Sequence, residues 1–308
     1  MKRVFVAIAT FAVAAAVASA QDYNAGIEAF NAGATALESS KTEALASFRA
    51  ALEQFQACED EGAAEQVAKC KEIIPGVILS IAKEQINGSE YDAAVSTLAE
   101  ATSVANEYGI ESVAAEAAQL LPNVYMRKGS ALIKAKDFAN AIPAFQEVLK
   151  LSPEDGQAYL LLGQATMQTG NLDGAIEAFL KANEFGQEAK TGKLLSNCYL
   201  KKGQGLFKAG KNAEAIAALE ESNKYVESAN AYKLIAAAQT KSGKSADAIN
   251  TYKKYLEVDP NAKDAVDVMF TIAATAQKAG DKATAKEYYQ KLAGTKYAAQ
   301  AEAQLKAL

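Results

Sequence analysis

The chain has 308 residues and a net charge of −5, and it contains neither histidine nor tryptophan. The absence of histidine removes Ser-His-Asp and Cys-His catalysis and the commonest transition-metal ligand, so we expect no enzymatic activity, no cofactor and no metal site. No basic face or basic tail is evident in the sequence, which argues against a nucleic-acid partner.

The first twenty residues have the three parts of a secretory signal peptide. Lys2 and Arg3 form a positive start, an apolar core runs over 4–17, and Ala18-Ser19-Ala20 is a small-residue cleavage motif. We therefore predict cleavage after Ala20, export to the periplasm, and one continuous domain over 21–308. No later apolar run approaches the length needed to span a membrane, so no integral membrane segment is expected after cleavage.

A pattern in which alanine is followed four residues later by a bulky residue returns along the whole chain. It is clearest where Gly129 and Gly163, and likewise Ala141 and Ala175, are 34 residues apart. A small residue in the first turn of a helix lets that helix close against the preceding one, and the bulky residue fills the space between them. The pattern predicts seven helix-turn-helix units, and we call their marker residues the key alanines: Ala44, Ala94, Ala141, Ala175, Ala215, Ala248 and Ala285.

Glycine or a polar pair is predicted to close the turn inside each later unit. These turn residues are Gly88, Asp137, Gly170, Gly210, Gly243 and Gly280.

The intervals between successive key alanines are 50, 47, 34, 40, 33 and 37 residues, so the longer ones require extra helical turns. A repeated phrase, Glu72–Ile78 and Gln119–Tyr125, accompanies the 47-residue interval and places a proline before a first helix each time. Proline costs little at the first position of a helix and about 3 kcal/mol within one. The phrase therefore indicates either a long kinked helix or an added short helix.

Cys58 and Cys70 lie 12 residues apart across an acidic turn, and in an exported protein a disulfide between them is conceivable. If a helix begins at Ala63, however, Cys70 lies two turns along it, roughly 10 Å from the turn, whereas a disulfide needs Cα atoms within about 7 Å. The alternative is two buried thiols. Cys198 is interpreted as a small apolar packing residue.

The last segment, 296–308, carries apolar residues on one side and Gln, Glu and Lys elsewhere, and is predicted to be a capping helix. The prediction is thus an all-α chain of about seven helical hairpins with a C-terminal cap.

The 34-residue spacing resembles the tetratricopeptide repeat. One copy shows the family's aromatic residue at Tyr159, its Leu-Gly pair at Leu162-Gly163 and its key alanine at Ala175, and the preceding copy ends with the closing proline at Pro153. The resemblance extends over 25–295 and implies a right-handed α-solenoid whose first helices line a concave groove. It also implies a non-enzymatic protein-interaction scaffold that binds a peptide or partner helix, and by analogy with exported bacterial members one that acts in the cell envelope.

The resemblance carries over a set of groove-facing positions, which alternate between amide and apolar side chains. Amides can bond a peptide backbone in either polarity, and Met, Leu and Phe offer adaptable apolar contacts. The alternative is that these positions only pack or are solvated. The predicted groove residues are Asn123, Met126, Ser130, Gln157, Leu160, Gln164, Met167, Asn197, Leu200, Gln204, Phe207, Asn230 and Lys233.

A Lys-and-Asn clamp for C-terminal carboxylates, known in one variant of the family, is not matched. The corresponding pairs are Met126 with Ser130, Leu160 with Gln164, and Leu200 with Gln204, while Lys233 is followed by Ala237 in place of Asn. We therefore expect a ligand that is recognised through its shape and backbone.

The competing function is a glycan-binding subunit of an outer-membrane uptake system, since some of these are built on the same repeats. Sugar recognition uses aromatic platforms, which without tryptophan would have to be tyrosines. The candidates cluster near the C-terminus: Tyr252, Tyr255, Tyr288, Tyr289 and Tyr297.

Overall fold

A computed structural model describes residues 20–58 and 62–308. The predicted signal peptide lies almost entirely outside these residues, so its cleavage remains a prediction. The described residues form fifteen α-helices. They are α1 Ala20–Ala36, α2 Lys41–Ala57, α3 Ala63–Asn87, α4 Tyr91–Tyr108, α5 Glu111–Lys134, α6 Phe138–Leu151, α7 Gly156–Gln168, α8 Leu172–Glu184, α9 Glu188–Lys208, α10 Asn212–Tyr225, α11 Ala229–Lys241, α12 Ser245–Val258, α13 Ala265–Lys278, α14 Lys282–Lys291 and α15 Ala298–Ala307.

The described residues divide into two compact units, and the boundary lies between Pro153 and Glu154. The described part of the first unit contains three helical hairpins, α1–α2, α3–α4 and α5–α6. The second contains four hairpins, α7–α8, α9–α10, α11–α12 and α13–α14, followed by α15, which packs on α14. Seven hairpins and a terminal helix confirm the predicted all-α repeat architecture.

The hairpins close on the key alanines as the sequence predicts. All seven alanines are fully buried, and so are the bulky residues four positions later, except for small exposed fractions at Tyr252 and Tyr289. In the central hairpins a first-helix glycine faces the bulky ring directly. A Cβ atom added at Gly163 would lie 2.6 Å from the Phe179 ring, and one at Gly129 would lie 2.7 Å from the Phe145 ring.

The irregular spacing of the key alanines comes from long first helices. Helices α3, α5 and α9 have 25, 24 and 21 residues, whereas α7 and α11 have 13 each. Pro75 and Pro122 lie inside α3 and α5, so the repeated proline phrase marks single long helices and not added short ones.

The turns within the hairpins share one backbone feature. In the last six hairpins the residue five positions before the key alanine has a positive φ. Glycine occupies that position at Gly170, Gly210, Gly243 and Gly280, where the sequence places a turn. The second and third hairpins instead use Ser89 at φ 64° and Lys136 at φ 61°, one residue away from the predicted Gly88 and Asp137.

Several helices begin with a side-chain cap, which satisfies an amide that the helix itself leaves unpaired. Asp155 accepts a hydrogen bond from the Ala158 amide at the start of α7, and Asn171 accepts one from the Gly174 amide at the start of α8. These caps fix where α7 and α8 begin.

Candidate functional site

The predicted groove residues fall on first helices, as the resemblance implies. Three lie on α5 in the first unit: Asn123 is exposed, and Met126 and Ser130 are half-buried. The others lie on α7, α9 and α11 in the second unit. We call the accessible part of this second set the first-helix face: Gln157, Gln164, Met167, Asn197, Leu200, Gln204, Phe207, Asn230 and Lys233.

Leu160 does not belong to this face. Its exposed fraction is 3%, and it packs in a core cluster with Ile176, Phe179 and Leu195. The prediction that Leu160 lines a groove is therefore wrong, because side chains of α8 and α9 cover it. A substitution there would test the core and not a binding surface.

Two other apolar members of the face are partly engaged in packing. Met167 packs against the same cluster as Leu160, and Leu200 packs against Leu219, Ala231 and Ile235. Both side chains remain half-buried, so each presents part of its surface to solvent.

The amide side chains are the most available groups of the first-helix face. Asn197 and Asn230 are exposed, while Gln164 and Gln204 are half-buried. None of these four side chains hydrogen-bonds another residue in the part of the chain that the structure describes. Each therefore keeps its donors and its acceptor free for a ligand backbone.

Neighbouring first helices are connected across the face by lysine side chains. Lys190 on α9 lies with its Nζ atom 3.4 Å from Oε1 of Gln157 on α7. Lys241 on α11 places its Nζ atom 4.3 Å from the centroid of the Phe207 ring on α9, within the range of a cation–π contact. These contacts bring Gln157, Phe207 and two positive charges onto one surface.

Lys233 is neutralised by a neighbour. It forms a salt bridge with Asp264, whose carboxylate also accepts a hydrogen bond from the Tyr255 hydroxyl. The hydrogen bonds from Lys233 and then Tyr255 lower the pKa of Asp264, so this carboxylate stays ionised at neutral pH. Lys233 is thus a structural link between α11 and the start of α13.

The tyrosines near the C-terminus do not form a sugar platform. Tyr252, Tyr255, Tyr288 and Tyr289 are at most 8% exposed. Tyr297 is half-buried and stacks on Phe270 at a centroid distance of 4.5 Å. The glycan-binding alternative therefore finds no support in these tyrosines, because their rings fill the space between the last hairpins and α15.

No disulfide joins Cys58 and Cys70 in this structure. Cys58 follows the end of α2, whereas Cys70 lies two turns into α3 and is fully buried, as the helical geometry anticipates. Burial raises the pKa of the Cys70 thiol to about 12 and also raises that of Cys198. Both thiols are inert packing groups at neutral pH.

Metal ligation and membrane insertion find no support in the described residues. Within 20–58 and 62–308, no three cysteine or carboxylate side chains converge on a point that could hold a metal ion. Over the same residues, every helix is too short or too polar to cross a bilayer.

A separate cleft of about 290 Å³ lies between α10, α11 and α12. Five of its lining residues come from the second helices α10 and α12, namely Glu220, Asn223, Lys224, Thr251 and Lys254, and two come from α11, namely Tyr232 and Ile235. This cleft offers an alternative docking point to the first-helix face.

Sequence reasoning missed a set of lysines at the end of the first helices. Lys208, Lys241 and Lys278 are exposed and lie in the last turns of α9, α11 and α13. Each stands seven residues before a key alanine, as Lys134 does in α5. The recurrence of lysine seven residues before a key alanine could have been found by aligning the repeats.

Two family models, both described as tetratricopeptide repeat, match the chain. One matches residues 126–189 and 200–265, and the other matches 267–295, so together they cover about half of the sequence. No curated protein matches the chain.

Several solved structures are similar in fold. A crystal structure of MamA has a TM-score of 0.38 and 24% sequence identity, covering 57% of this chain and 91% of that one. YrrB, described as a TPR protein with an unusual peptide-binding site, has a TM-score of 0.36 and 18% identity, covering 60% and 91%. Pseudomonas aeruginosa pilF has a TM-score of 0.30 and 18% identity, covering 56% and 75%. Likeness at this level concerns the fold and carries no information about partners.

Proposed function

We propose that this chain, which belongs to the tetratricopeptide repeat family, is a non-enzymatic protein-interaction scaffold that binds an extended peptide on its first-helix face. The observation that carries the proposal is the set of four amide side chains, Gln164, Asn197, Gln204 and Asn230, that make no hydrogen bond within the described residues. An extended peptide has unpaired backbone donors and acceptors, and amides can satisfy both.

The apolar members of the face supply contact area beside the amides. The half-buried Met167, Leu200 and Phe207 are held in place by packing or by Lys241, so little side-chain entropy is lost when a ligand covers them. A flexible thioether and a fixed ring between amides suit a ligand that is recognised through its backbone and shape.

We further propose that the protein acts in the cell envelope. Support comes only from the sequence of residues 1–20, with its positive start, apolar core and small-residue motif. N-terminal sequencing of protein recovered from the periplasm would show Gln21 as the first residue, and a protein that retains residues 1–20 would contradict the proposal.

The binding test replaces accessible face residues and leaves the core intact. Gln164, Gln204 and Phe207 are changed together to Ala, and capture of envelope proteins by this variant is compared with capture by the unaltered chain. Two lost hydrogen bonds at about 1 kcal/mol each, with the lost ring contact, weaken binding about a hundredfold. Circular dichroism checks that helix content is unchanged.

A matched control changes Glu177, Glu220 and Asn250 to Ala, since these exposed residues lie on the second helices α8, α10 and α12. This control is expected to capture the same partner with unchanged affinity. A folded face variant that also binds with full affinity would rule out the first-helix face as the docking surface.

A further inference from the structure

The first helices of the second unit are positively charged in a chain that is acidic overall. Helices α7, α9, α11 and α13 together contain eight lysines and only two acidic residues, Glu188 and Asp267. The second helices α8, α10, α12 and α14 contain seven lysines and nine acidic residues, and the whole chain has a net charge of −5. Positive charge is therefore concentrated on the helices that form the binding face.

Three of these lysines occupy one register position. Lys208, Lys241 and Lys278 are exposed, and none forms a salt bridge within the residues that the structure describes. Many lysines on the second helices are instead neutralised by a local partner, as in the pairs Lys181–Glu184 and Lys224–Glu221. The three-lysine set, as we call Lys208, Lys241 and Lys278, is uncompensated charge.

Helix stability accounts for only part of this pattern. A lysine in the last turn of a helix interacts favourably with the helix dipole, but a lysine in the first turns does not. Helix α9 carries Lys190 and Lys193 near its start as well as Lys208 at its end. The positive charge thus extends over the whole of α9, which points to a ligand and not to dipole compensation alone.

The positive groups also lie among the amides of the face. Lys190 reaches Gln157 at 3.4 Å, Lys241 covers the Phe207 ring at 4.3 Å, and Lys208 lies four residues after Gln204 in α9, on the same side of the helix. A ligand bound by the amides would pass beside these ammonium groups.

We propose that the peptide bound by the first-helix face is acidic, with its Asp or Glu carboxylates paired to Lys208, Lys241 and Lys278 while its backbone bonds the amides. This inference rests on the proposed function, because it specifies the ligand of the same face. A peptide fits better than a single-stranded nucleic acid, since base stacking needs open aromatic surfaces and the Phe207 ring is covered by Lys241.

The test is a selection from a random library of 12-residue peptides on the immobilised full chain. The recovered peptides are expected to be enriched in Asp and Glu at least twofold over the library. The variant with Lys208→Gln, Lys241→Gln and Lys278→Gln is expected to lose this enrichment, and to bind an acidic peptide recovered with the unaltered chain at least tenfold more weakly.

A control variant with Lys244→Gln, Lys263→Gln and Lys286→Gln has the same change in net charge at exposed lysines outside the first helices. It is expected to keep both the enrichment and the affinity. Equal loss in both variants would show a general charge effect and overturn the assignment of the three-lysine set.

The remaining outcomes separate this inference from the function on which it rests. Peptides that are recovered without acidic enrichment would overturn the acidic ligand and leave peptide binding in place. Recovery of no peptide would contradict peptide binding itself. A final outcome concerns other anions, tested with a 20-nucleotide oligothymidylate and with vesicles containing anionic phospholipid. If either binds as tightly as the acidic peptide and with the same dependence on the three lysines, the ligand is a general polyanion and not a peptide.

Discussion

At the scale of single residues, the repeat is defined by small side chains that face large ones. The key alanines and their bulky partners could be predicted from the sequence because each pair is local and recurs seven times. The burial of Leu160 could not be predicted in this way, because it depends on contacts with Leu195 of the next hairpin and with Ile176 and Phe179. The equivalent position in α11 is Lys233, which is exposed. The register of a repeat fixes the direction in which a side chain points, whereas the burial of that side chain depends on the neighbouring helix.

The contact between Gly163 and Phe179 makes a quantitative prediction. Gly163→Ala places a methyl group 2.6 Å from the ring, so the hairpin must open, and we expect a loss of about 1–3 kcal/mol in the free energy of unfolding. Gly205→Ala is the matched control, because that glycine lies exposed within α9 with no atom within 4 Å of the added Cβ. The control is expected to gain about 0.5–1 kcal/mol from helix propensity. Urea titration measures both, and equal effects would contradict the close packing.

The buried thiols predict how the protein reacts with alkylating reagents. At pH 8.5 in the folded protein, Cys70 and Cys198 stay protonated and are expected to resist iodoacetamide, because burial raises the pKa of each thiol. In denaturant without reductant, all three cysteines are expected to be alkylated, as no disulfide is present. Mass spectrometry counts the adducts. A count below three in denaturant that rises to three after reduction would show a disulfide bridge.

The raised pKa of Cys70 also has a consequence for stability. The unfolded thiol ionises near pH 8.5, and the folded one at about 12. Between these values the unfolded state binds fewer protons, so stability falls as pH rises through that window and is unaffected by this group below it.

At the scale of elements, first helices of unequal length distinguish the hairpins. The interval of 47 residues predicts extra helical turns, and α5, with 24 residues, confirms this. The proline phrase could not decide between one helix and two, because the cost of an internal proline can be offset by packing. Pro75 is buried within α3 among apolar neighbours, which explains why α3 continues through it.

Two hairpin turns carry a backbone conformation that disfavours their side chains, and this predicts a stabilising change. Lys136 has φ 61°, so Lys136→Gly is expected to raise the free energy of unfolding by about 1 kcal/mol. Lys134→Gly, two residues earlier and within α5, is expected to lower it by about 0.5–1 kcal/mol, because glycine weakens a helix. Thermal unfolding distinguishes the two. If Lys136→Gly is destabilising, the left-handed turn is absent.

The sequence placed these two turns one residue away from the left-handed residue: Gly88 lies one residue before Ser89, and Asp137 lies one residue after Lys136. Glycine at 88 and aspartate at 137 are typical turn residues, but the hairpin geometry requires the left-handed residue five positions before the key alanine. The constraint is set by how two helices close, and it overrides the preference of an individual residue.

At the level of the entire chain, the structure divides into two compact units. The division between Pro153 and Glu154 predicts that residues 154–308 fold without the rest. The isolated fragment is expected to be helical and to unfold cooperatively by circular dichroism. A fragment that begins at Cys198, in the middle of α9, is the control and is expected to lose that cooperativity. If both fragments behave alike, the boundary has no thermodynamic meaning.

The charge distribution appears only when the helices are grouped by their place in the hairpin. Read linearly, Lys208, Lys241 and Lys278 are scattered in an acidic chain with no basic tail. Grouped by register, they fall in the last turn of the successive first helices α9, α11 and α13. The overall composition of the sequence therefore does not reveal the positive charge that the repeat places on its first helices.

Site-specific photo-cross-linking measures directly whether a peptide docks on the first-helix face. A photoreactive residue is placed singly at Asn197, Gln204 and Asn230 on the face, and at Glu177, Glu220 and Lys254 on second helices, the last two in the cleft between α10 and α12. After illumination with the captured partner, we expect cross-links from the three face positions and none from the other three. Cross-links at Glu220 and Lys254 without any at Asn197, Gln204 or Asn230 would contradict the account and place the partner in the cleft.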